Sequence, residues 1–165
     1  MNNETSKSNQ QITNFWQAYC RLIHKQLPQP DAWPFGSTPQ MATELADLMI
    51  AGKKTATTSA YIADEDDYAT IGQYDIVLDG YKRPVAVIQN VVSELMPYAQ
   101  VSAEHAYHEG EGDRSLAYWR QAHEAFFREE GSRKGYQFNQ QLTVSCEVFE
   151  LRATRQSLSA EMGEE

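Results

Sequence analysis

Apolar residues recur at helical spacing near the start of the chain. Six of them follow one face of a helix: Ile12, Phe15, Trp16, Tyr19, Leu22 and Ile23. This spacing predicts a helix that stops before Pro28 and Pro30. Residues 1–11 are polar and show no such repeat, so we predict a disordered lead-in there.

A second helix is predicted from its end signals. Thr38 is followed by Pro39, and these are favoured residue types at the cap and at the first helical position. Gly52 stands where a helix-ending glycine is expected. From Thr55 to Tyr61 the chain is rich in β-branched and hydroxyl residues, which indicates a strand.

The middle of the chain predicts a hairpin. Tyr74–Leu78 and Val85–Val92 have the composition of strands, and Asp79-Gly80 between them is a turn signal. Asp64 to Asp67 form an acidic run, which we interpret as a solvated loop.

The last third alternates between helix and strand patterns. Ser102 is a suitable cap for a short helix that ends near Gly110. A further helix, which contains Trp119 and His123, is expected to close at Gly131. Its apolar face includes His123, which we interpret as a core or boundary residue. An alternating strand then carries four inward-facing positions: Leu142, Val144, Cys146 and Val148.

This order of elements indicates the fold class. Helices lead, most strands cluster in the middle and one strand closes the chain, which predicts an α+β fold with a small, mostly antiparallel sheet or barrel. At 165 residues, the chain fits one domain. We place that domain at residues 12–155 and predict a frayed polar tail at 156–165.

Charge and composition narrow the possible partners. The net charge is −9, from 14 Lys+Arg and 23 Asp+Glu. This balance argues against broad, non-specific binding of long nucleic acid, but leaves room for a small nucleotide or a local basic pocket. No apolar run approaches membrane-spanning length, and the N-terminus lacks the apolar core of a signal peptide. Cys20 and Cys146 lie far apart, so we expect reduced core cysteines and a cytoplasmic protein without a membrane partner.

One segment combines residue types that suit catalysis. Gly52–Ser59 holds two lysines and four hydroxyls. A hydroxyl beside a base is a potential nucleophile. Lys54 and Thr57 can converge only if Lys54 sits on the turn that leaves the helix, because residues three apart on a strand face opposite sides. The alternative is an ordinary polar strand edge.

A second polar cluster lies between Glu104 and Arg114. It contains four carboxylates and two histidines within ten residues. If Ser102 caps a helix, His105 and Glu109 share a face. The spacing matches no specific metal motif, so we predict no metal ion and no other cofactor. Trp33 and Phe35 lie in a proline-flanked loop, where they either pack as a plug or offer a surface on which a nucleobase stacks.

These residues resemble a known family. Gly52-Lys53-Lys54-Thr55-Ala56-Thr57 reads as G-x-K-x-x-T, the signature of ASCH domains. The resemblance extends over about residues 14–152 and includes Trp33-Pro34-Phe35-Gly36, Asp75–Gly80 and Glu109–Leu116. It implies a PUA-like β-barrel of mostly antiparallel strands with flanking helices.

The resemblance also implies an activity. Characterised ASCH relatives include amidohydrolases that remove the acyl group from N4-acylcytidines. In these a Lys and a Thr of the motif act with a Glu four residues after a His. Lys54, Thr57 and Glu109 match those positions, and Glu104 and Glu111 are nearby alternatives.

The expected partners follow from that activity. The substrate would be a small modified nucleoside or nucleobase, and we expect Trp33, Phe35, Ser59 and Arg114 to contact it. Ser59 replaces an arginine of the shorter amidohydrolases. Other ASCH proteins are thought to bind RNA, and a ribonuclease activity has been proposed for one. A non-catalytic RNA-binding module and a metal-assisted ribonuclease are therefore the alternatives. A monomer or a small homo-oligomer is expected.

Overall fold

The computed structural model describes residues 2–63 and 69–163, and within these it contains four α-helices and five strands. The acidic run Asp64–Asp67 lies outside the described residues. The elements are α1 (Asn2–Leu22), β1 (Ala32–Pro34), α2 (Pro39–Ile50), β2 (Ala56–Ala60), β3 (Tyr74–Leu78), β4 (Pro84–Pro97), α3 (Ala103–Glu109), α4 (Leu116–Lys134) and β5 (Thr143–Thr154). The strand order is β1-β3-β4-β5-β2, and β1 with β3 is a parallel pair. The predicted α+β fold with a mostly antiparallel sheet is confirmed.

The chain divides into two compact units, and the first consists of residues 1–52, 72–89 and 150–165. Its core is formed by the apolar face of α1 against inward residues of the strands. The buried members include Phe15, Trp16, Ile76 and Val87. Cys20 belongs to the same core and is a free thiol.

The beginning of α1 differs from the sequence prediction. Residues 2–11, which we predicted to be disordered, form the first half of this helix. Their polar side chains supply no apolar stripe, so periodicity gave no signal. Glu4 in the first turn complements the helix dipole, and the Gln10 amide donates to Asn14 Oδ1 at 2.8 Å.

The start of α2 and the hairpin agree with the sequence prediction. Thr38 caps the helix by accepting a hydrogen bond from the Met41 amide at 3.1 Å. β3 and β4 pair in antiparallel register, with Ile76 opposite Val87. Short β1 was predicted as loop. It pairs in parallel with β3 as the first strand in the sheet order, a position where Pro34 is tolerated because an edge strand does not need every amide for the ladder.

The predicted frayed tail is also corrected. Leu158 is fully buried in the first core, and Met162 packs against the same core. The turn that leads there is stabilised by hydrogen bonds between Thr154 and Ser157. Two isolated apolar residues in a polar stretch are a weak sequence signal, which explains the missed prediction.

The second unit consists of residues 53–71 and 90–149. β2 pairs with β5 in antiparallel register, with Thr58 opposite Cys146. The core of this unit contains seven buried residues: Tyr98, Val101, Ala106, Trp119, Phe127, Val144 and Cys146.

Helix α4 is longer than the sequence predicted. Gly131, which we expected to end it, lies inside the helix, and Gly135 with φ 88° forms the C-terminal cap. A Cβ on Gly131 would lie 2.4 Å from the Tyr136 carbonyl oxygen. The glycine at 131 is therefore required by close packing of the following chain.

None of the helices in the described part of the chain combines the length and the apolar character needed to cross a bilayer.

Candidate active site

Helix α3 carries Glu109, the central acidic residue of the candidate site, at its C-terminal end. Ser102 caps its first turn, as predicted, and the helix ends at Gly110 with φ 76°. A Cβ on Gly110 would lie 2.3 Å from the Lys53 carbonyl oxygen, so the end of α3 abuts the chain that leads into β2. The Thr55 amide donates to the His108 carbonyl at 2.8 Å, which satisfies one of the free carbonyls at the end of α3.

Arg114 secures the same helix end. Its Nε donates to the Tyr107 carbonyl at 3.0 Å, and its guanidinium lies 3.7 Å above the Tyr107 ring. A further hydrogen bond of 3.4 Å reaches the Lys53 carbonyl. A cation at a helix C-terminus is favourable because it meets the negative end of the helix dipole. Arg114, which we predicted as a substrate contact, thus holds α3 in position.

Lys54 and Glu109 form a buried ion pair. Their Nζ and Oε1 atoms are 3.6 Å apart, and the side chains are only 2% and 1% exposed. The Lys54 ammonium also lies 3.2 Å from Glu111 Oε2 and donates to the Ala56 carbonyl at 2.9 Å. Removal of charges from water is costly unless they are paired and hydrogen-bonded, and this pair meets both conditions.

Four further side chains surround the Glu109 carboxylate. The Thr58 hydroxyl donates to Oε2 at 2.8 Å, and the Trp119 indole Nε1 donates to the same oxygen. His123 Nε2 lies 3.3 Å from Oε1, and His105 Nε2 lies 3.4 Å from Oε2. Sequence reasoning did not identify Thr58, Trp119 or His123 as site residues.

These neighbours determine the charge of Glu109. Burial raises the pKa of its carboxyl, but hydrogen bonds from His105 and His123 and the positive charges of His123 and Lys54 outweigh burial. The pKa is therefore held well below the ordinary value of 4.5. Glu109 is a buried carboxylate anion at neutral pH.

His123 has a defined proton arrangement. Its Nδ1 lies 3.0 Å from the Trp119 carbonyl oxygen, which can only accept a hydrogen bond. Nδ1 must therefore carry a proton, while Nε2 faces the ionised Glu109. His123 thus donates from Nδ1 to the Trp119 carbonyl, and its ring stacks on Trp119 at a centroid distance of 4.2 Å.

The three consecutive hydroxyl residues of β2 face different sides. Thr58 is buried and contacts Glu109, whereas Thr57 is half-buried and Ser59 is exposed. Because side chains alternate along a strand, Thr57 and Ser59 share the face opposite Thr58. The structure brings Lys54 together with Glu109, and the hydroxyl that is hydrogen-bonded to Glu109 belongs to Thr58.

A cavity of about 310 Å³ lies beside this cluster. It is lined by Val92, Glu94, Met96, Gln100, Ser102, Glu104, His105, His108, Cys146 and Val148. Two of these residues, His105 and Cys146, lie 2.9 and 3.9 Å from the Thr58 hydroxyl oxygen. Burial raises the pKa of the Cys146 thiol to about 12, so this cysteine is neutral and a poor nucleophile.

Trp33 and Phe35 belong to the first unit, whereas the residues around Glu109 all belong to the second. Phe35 is 4% exposed. Its ring lies edge-on to the half-buried Trp33 at a centroid distance of 4.9 Å. Phe35 therefore acts as a packing residue of the first unit.

Glu109, Glu111 and His123 place three potential metal ligand atoms within 4.8 Å of one another. Lys54 Nζ already contacts both carboxylates. Its ammonium supplies the positive charge that a metal ion would bring there. The arrangement is that of an ion-pair network rather than of an open metal site.

Comparison with known proteins places the chain in a family. The family model of the ASCH domain matches residues 31–152. A crystal structure of a DUF984-family protein from Enterococcus faecalis V583 is 35% identical, with a TM-score of 0.80 over 87% of this chain and 88% of that one. An ASCH domain from Lactobacillus crispatus JV V101 is 26% identical, with a TM-score of 0.77 over 86% of this chain and 94% of that one.

A hypothetical protein, PH0355, shares the fold at 15% identity, with a TM-score of 0.52 over 74% of this chain and 99% of that one. No curated protein matches the chain. The family match and the similar structures confirm the resemblance first indicated by the G-x-K-x-x-T motif. The chain belongs to the ASCH domain family.

Proposed function

We propose that this protein is an amidohydrolase that removes the acyl group from N4-acylcytosine or an N4-acylcytidine-type nucleoside. The observation that carries the proposal is the buried pair of Lys54 and Glu109, whose side chains are 2% and 1% exposed. A buried carboxyl group whose pKa is shifted by specific charged partners, beside a cavity, marks a candidate functional site. Lys54 and Glu109 are the residues of this cluster on which we expect turnover to depend, and Thr57, on the opposite face of β2, is the hydroxyl that the family motif implies.

The cavity supports a small, uncharged substrate. Its volume of about 310 Å³ lies at the lower end of the range for small-molecule sites. Among the described residues that line it, Glu94 and Glu104 are carboxylates and none is a lysine or arginine. Such a lining repels phosphate groups and suits a nucleobase or nucleoside better than a polyanionic RNA.

Hydrolysis of an N4-acyl group needs a nucleophile at the acyl carbon, stabilisation of the oxyanion and a proton for the leaving amine. Two schemes supply these. In one, Thr57 attacks and Lys54 is its base; in the other, water attacks, Lys54 stays charged and Thr57 hydrogen-bonds the substrate. The Lys54 ammonium donates to the Ala56 carbonyl and lies beside two carboxylates. This environment suits the charged form and favours the second scheme.

The test is incubation of the purified protein with N4-acetylcytidine and with single-stranded RNA. We expect release of cytidine and acetate, with no cleavage of the RNA. Lys54→Met should abolish turnover, whereas Lys53→Met, which removes an exposed neighbouring lysine, should retain it. Absence of cytidine together with salt-sensitive RNA binding would replace the proposal with a non-catalytic RNA-binding module.

Variants of two adjacent hydroxyl residues distinguish the two schemes. Thr57→Ala and Thr58→Ala each remove one hydroxyl, on opposite faces of β2. Near-normal turnover in Thr57→Ala excludes a nucleophilic role for Thr57 and supports attack by water.

A further inference from the structure

We propose that His105 is a catalytic residue that exchanges protons with water and substrate in the cavity. Glu109 acts through His105 as a positioning residue. This role rests on the proposed amidohydrolase function. It follows from the hydrogen-bond donors and acceptors that lie between Glu109 and the cavity.

The Thr58 hydroxyl fixes the tautomer of His105. A hydroxyl has one proton, and Thr58 donates it to Glu109 Oε2 at 2.8 Å. The contact of 2.9 Å between Thr58 Oγ1 and His105 Nε2 must then use a proton on the imidazole. A neutral His105 therefore carries its proton on Nε2 and presents an unprotonated Nδ1.

Glu109 itself is poorly placed to act as the base. Its Oε2 accepts from Thr58 and Trp119, and its Oε1 faces Lys54 and His123. The carboxylate is 1% exposed, and it is absent from the lining of the cavity. Its anionic charge instead stabilises an imidazole that gains a proton.

His105 has the access that Glu109 lacks. It lines the cavity, and its side chain is 11% exposed. The Thr58 hydroxyl thus connects the buried Glu109 carboxylate to His105, and through His105 to the cavity. A carboxylate that holds an imidazole in one tautomer is a recurrent way to obtain a general base at neutral pH.

The chemical step is balanced as follows. Water attacks the acyl carbon and its proton passes to His105 Nδ1, which gives a tetrahedral oxyanion. As the oxyanion collapses, the bond from carbon to N4 breaks, and His105 returns the proton to N4. The products are the carboxylic acid, which ionises in water, and the free cytosine amine. No oxidant, reductant or further reactant is needed.

Other titratable side chains also line the cavity. They are Glu94 from β4, Cys146 from β5, and Glu104 and His108 from α3. A pH profile is therefore informative only as a difference between variants that retain these groups.

The experiment combines kinetics with nitrogen NMR. His105→Gln keeps an amide that can donate to Thr58 but removes the base. We expect kcat/KM for N4-acetylcytidine to fall at least about 100-fold, as for loss of a general acid–base group, and the acidic limb of the pH profile to disappear. His24→Gln, an exposed histidine of the first unit, is the control and should leave both unchanged. In the wild type, ¹⁵N shifts should show His105 protonated on Nε2 when neutral.

The outcomes distinguish the two proposals. A wild type without turnover overturns the amidohydrolase function and this role together. An active wild type whose neutral His105 carries its proton on Nδ1 overturns the role alone. A His105→Gln variant within threefold of wild type does the same.

Discussion

Replacement of Lys54 by methionine is the most direct test of the buried network. The change removes the ammonium but keeps a chain of similar length in the same buried space. Nζ and the Glu109 carboxylate are 3.6 Å apart. At an effective dielectric constant of about 20, two unit charges at that distance attract by roughly 4–5 kcal/mol.

The measured loss of unfolding free energy should be smaller than this attraction. Removal of one partner of a buried pair typically costs about 3–5 kcal/mol, because the other charge is left buried. Glu109 keeps the donors of Thr58, Trp119 and His123. We therefore expect the free energy of unfolding to fall by about 3 kcal/mol, the lower end of that range. This is a large share of the roughly 5–15 kcal/mol typical of a folded protein.

Urea unfolding followed by far-ultraviolet circular dichroism at pH 7 measures this loss. Lys53→Met is the matched control, since Lys53 is exposed. Its free energy of unfolding should stay within about 0.5 kcal/mol of the wild-type value. Equal stability of the two variants at pH 7 would refute the energetic importance of the pair.

The pH dependence has a defined sign. The pKa of Glu109 is lower in the folded state than its ordinary value of 4.5, so the carboxylate stabilises the fold fully above that value. This contribution is lost as the pH falls through the lower, folded-state pKa. The difference in unfolding free energy between wild type and Lys54→Met should therefore become smaller below about pH 4.5. A difference that widens on acidification would contradict the assignment of charges.

Two further predictions concern the end of α3. Gly110 and Gly52 have similar φ angles of +76° and +79°, but only Gly110 has a close neighbour, the Lys53 carbonyl oxygen, at 2.3 Å from a Cβ. Gly52→Ala should cost about 1–2 kcal/mol in unfolding free energy from left-handed strain alone, and Gly110→Ala about 1–3 kcal/mol more from overpacking; equal losses would refute the packing argument. Arg114→Met removes hydrogen bonds to the Tyr107 and Lys53 carbonyls and should speed amide hydrogen exchange in α3 selectively, as measured by mass spectrometry.

Local signals in the sequence located the starts of α2 and α3. Thr38 and Ser102 cap helices where their side chains predicted, because a cap depends only on residues three positions away. The family motif and the His105–Glu109 spacing implied that Lys54 and Glu109 belong to one site, but not that their charges form a buried pair.

The remaining site residues depend on tertiary register. Which hydroxyl of β2 meets Glu109 is decided by the face that the strand turns toward α3, and Thr58 rather than Thr57 occupies it. His123 followed the apolar face of its helix and was therefore interpreted as core. Its position four residues after Trp119 was the available signal, because residues at that spacing stack on one side of a helix.

The arrangement around Trp119 has an optical consequence. Its indole is stacked between Tyr98, at 5.3 Å, and the His123 ring, at 4.2 Å, while its Nε1 binds Glu109. The emission of Trp119 therefore depends on the ring that stacks on it. The difference in emission between wild type and His123→Gln separates this contact from the emission of the other two tryptophans, Trp16 and Trp33. The second unit thus carries its own spectroscopic probe, which can be read without substrate, label or cofactor.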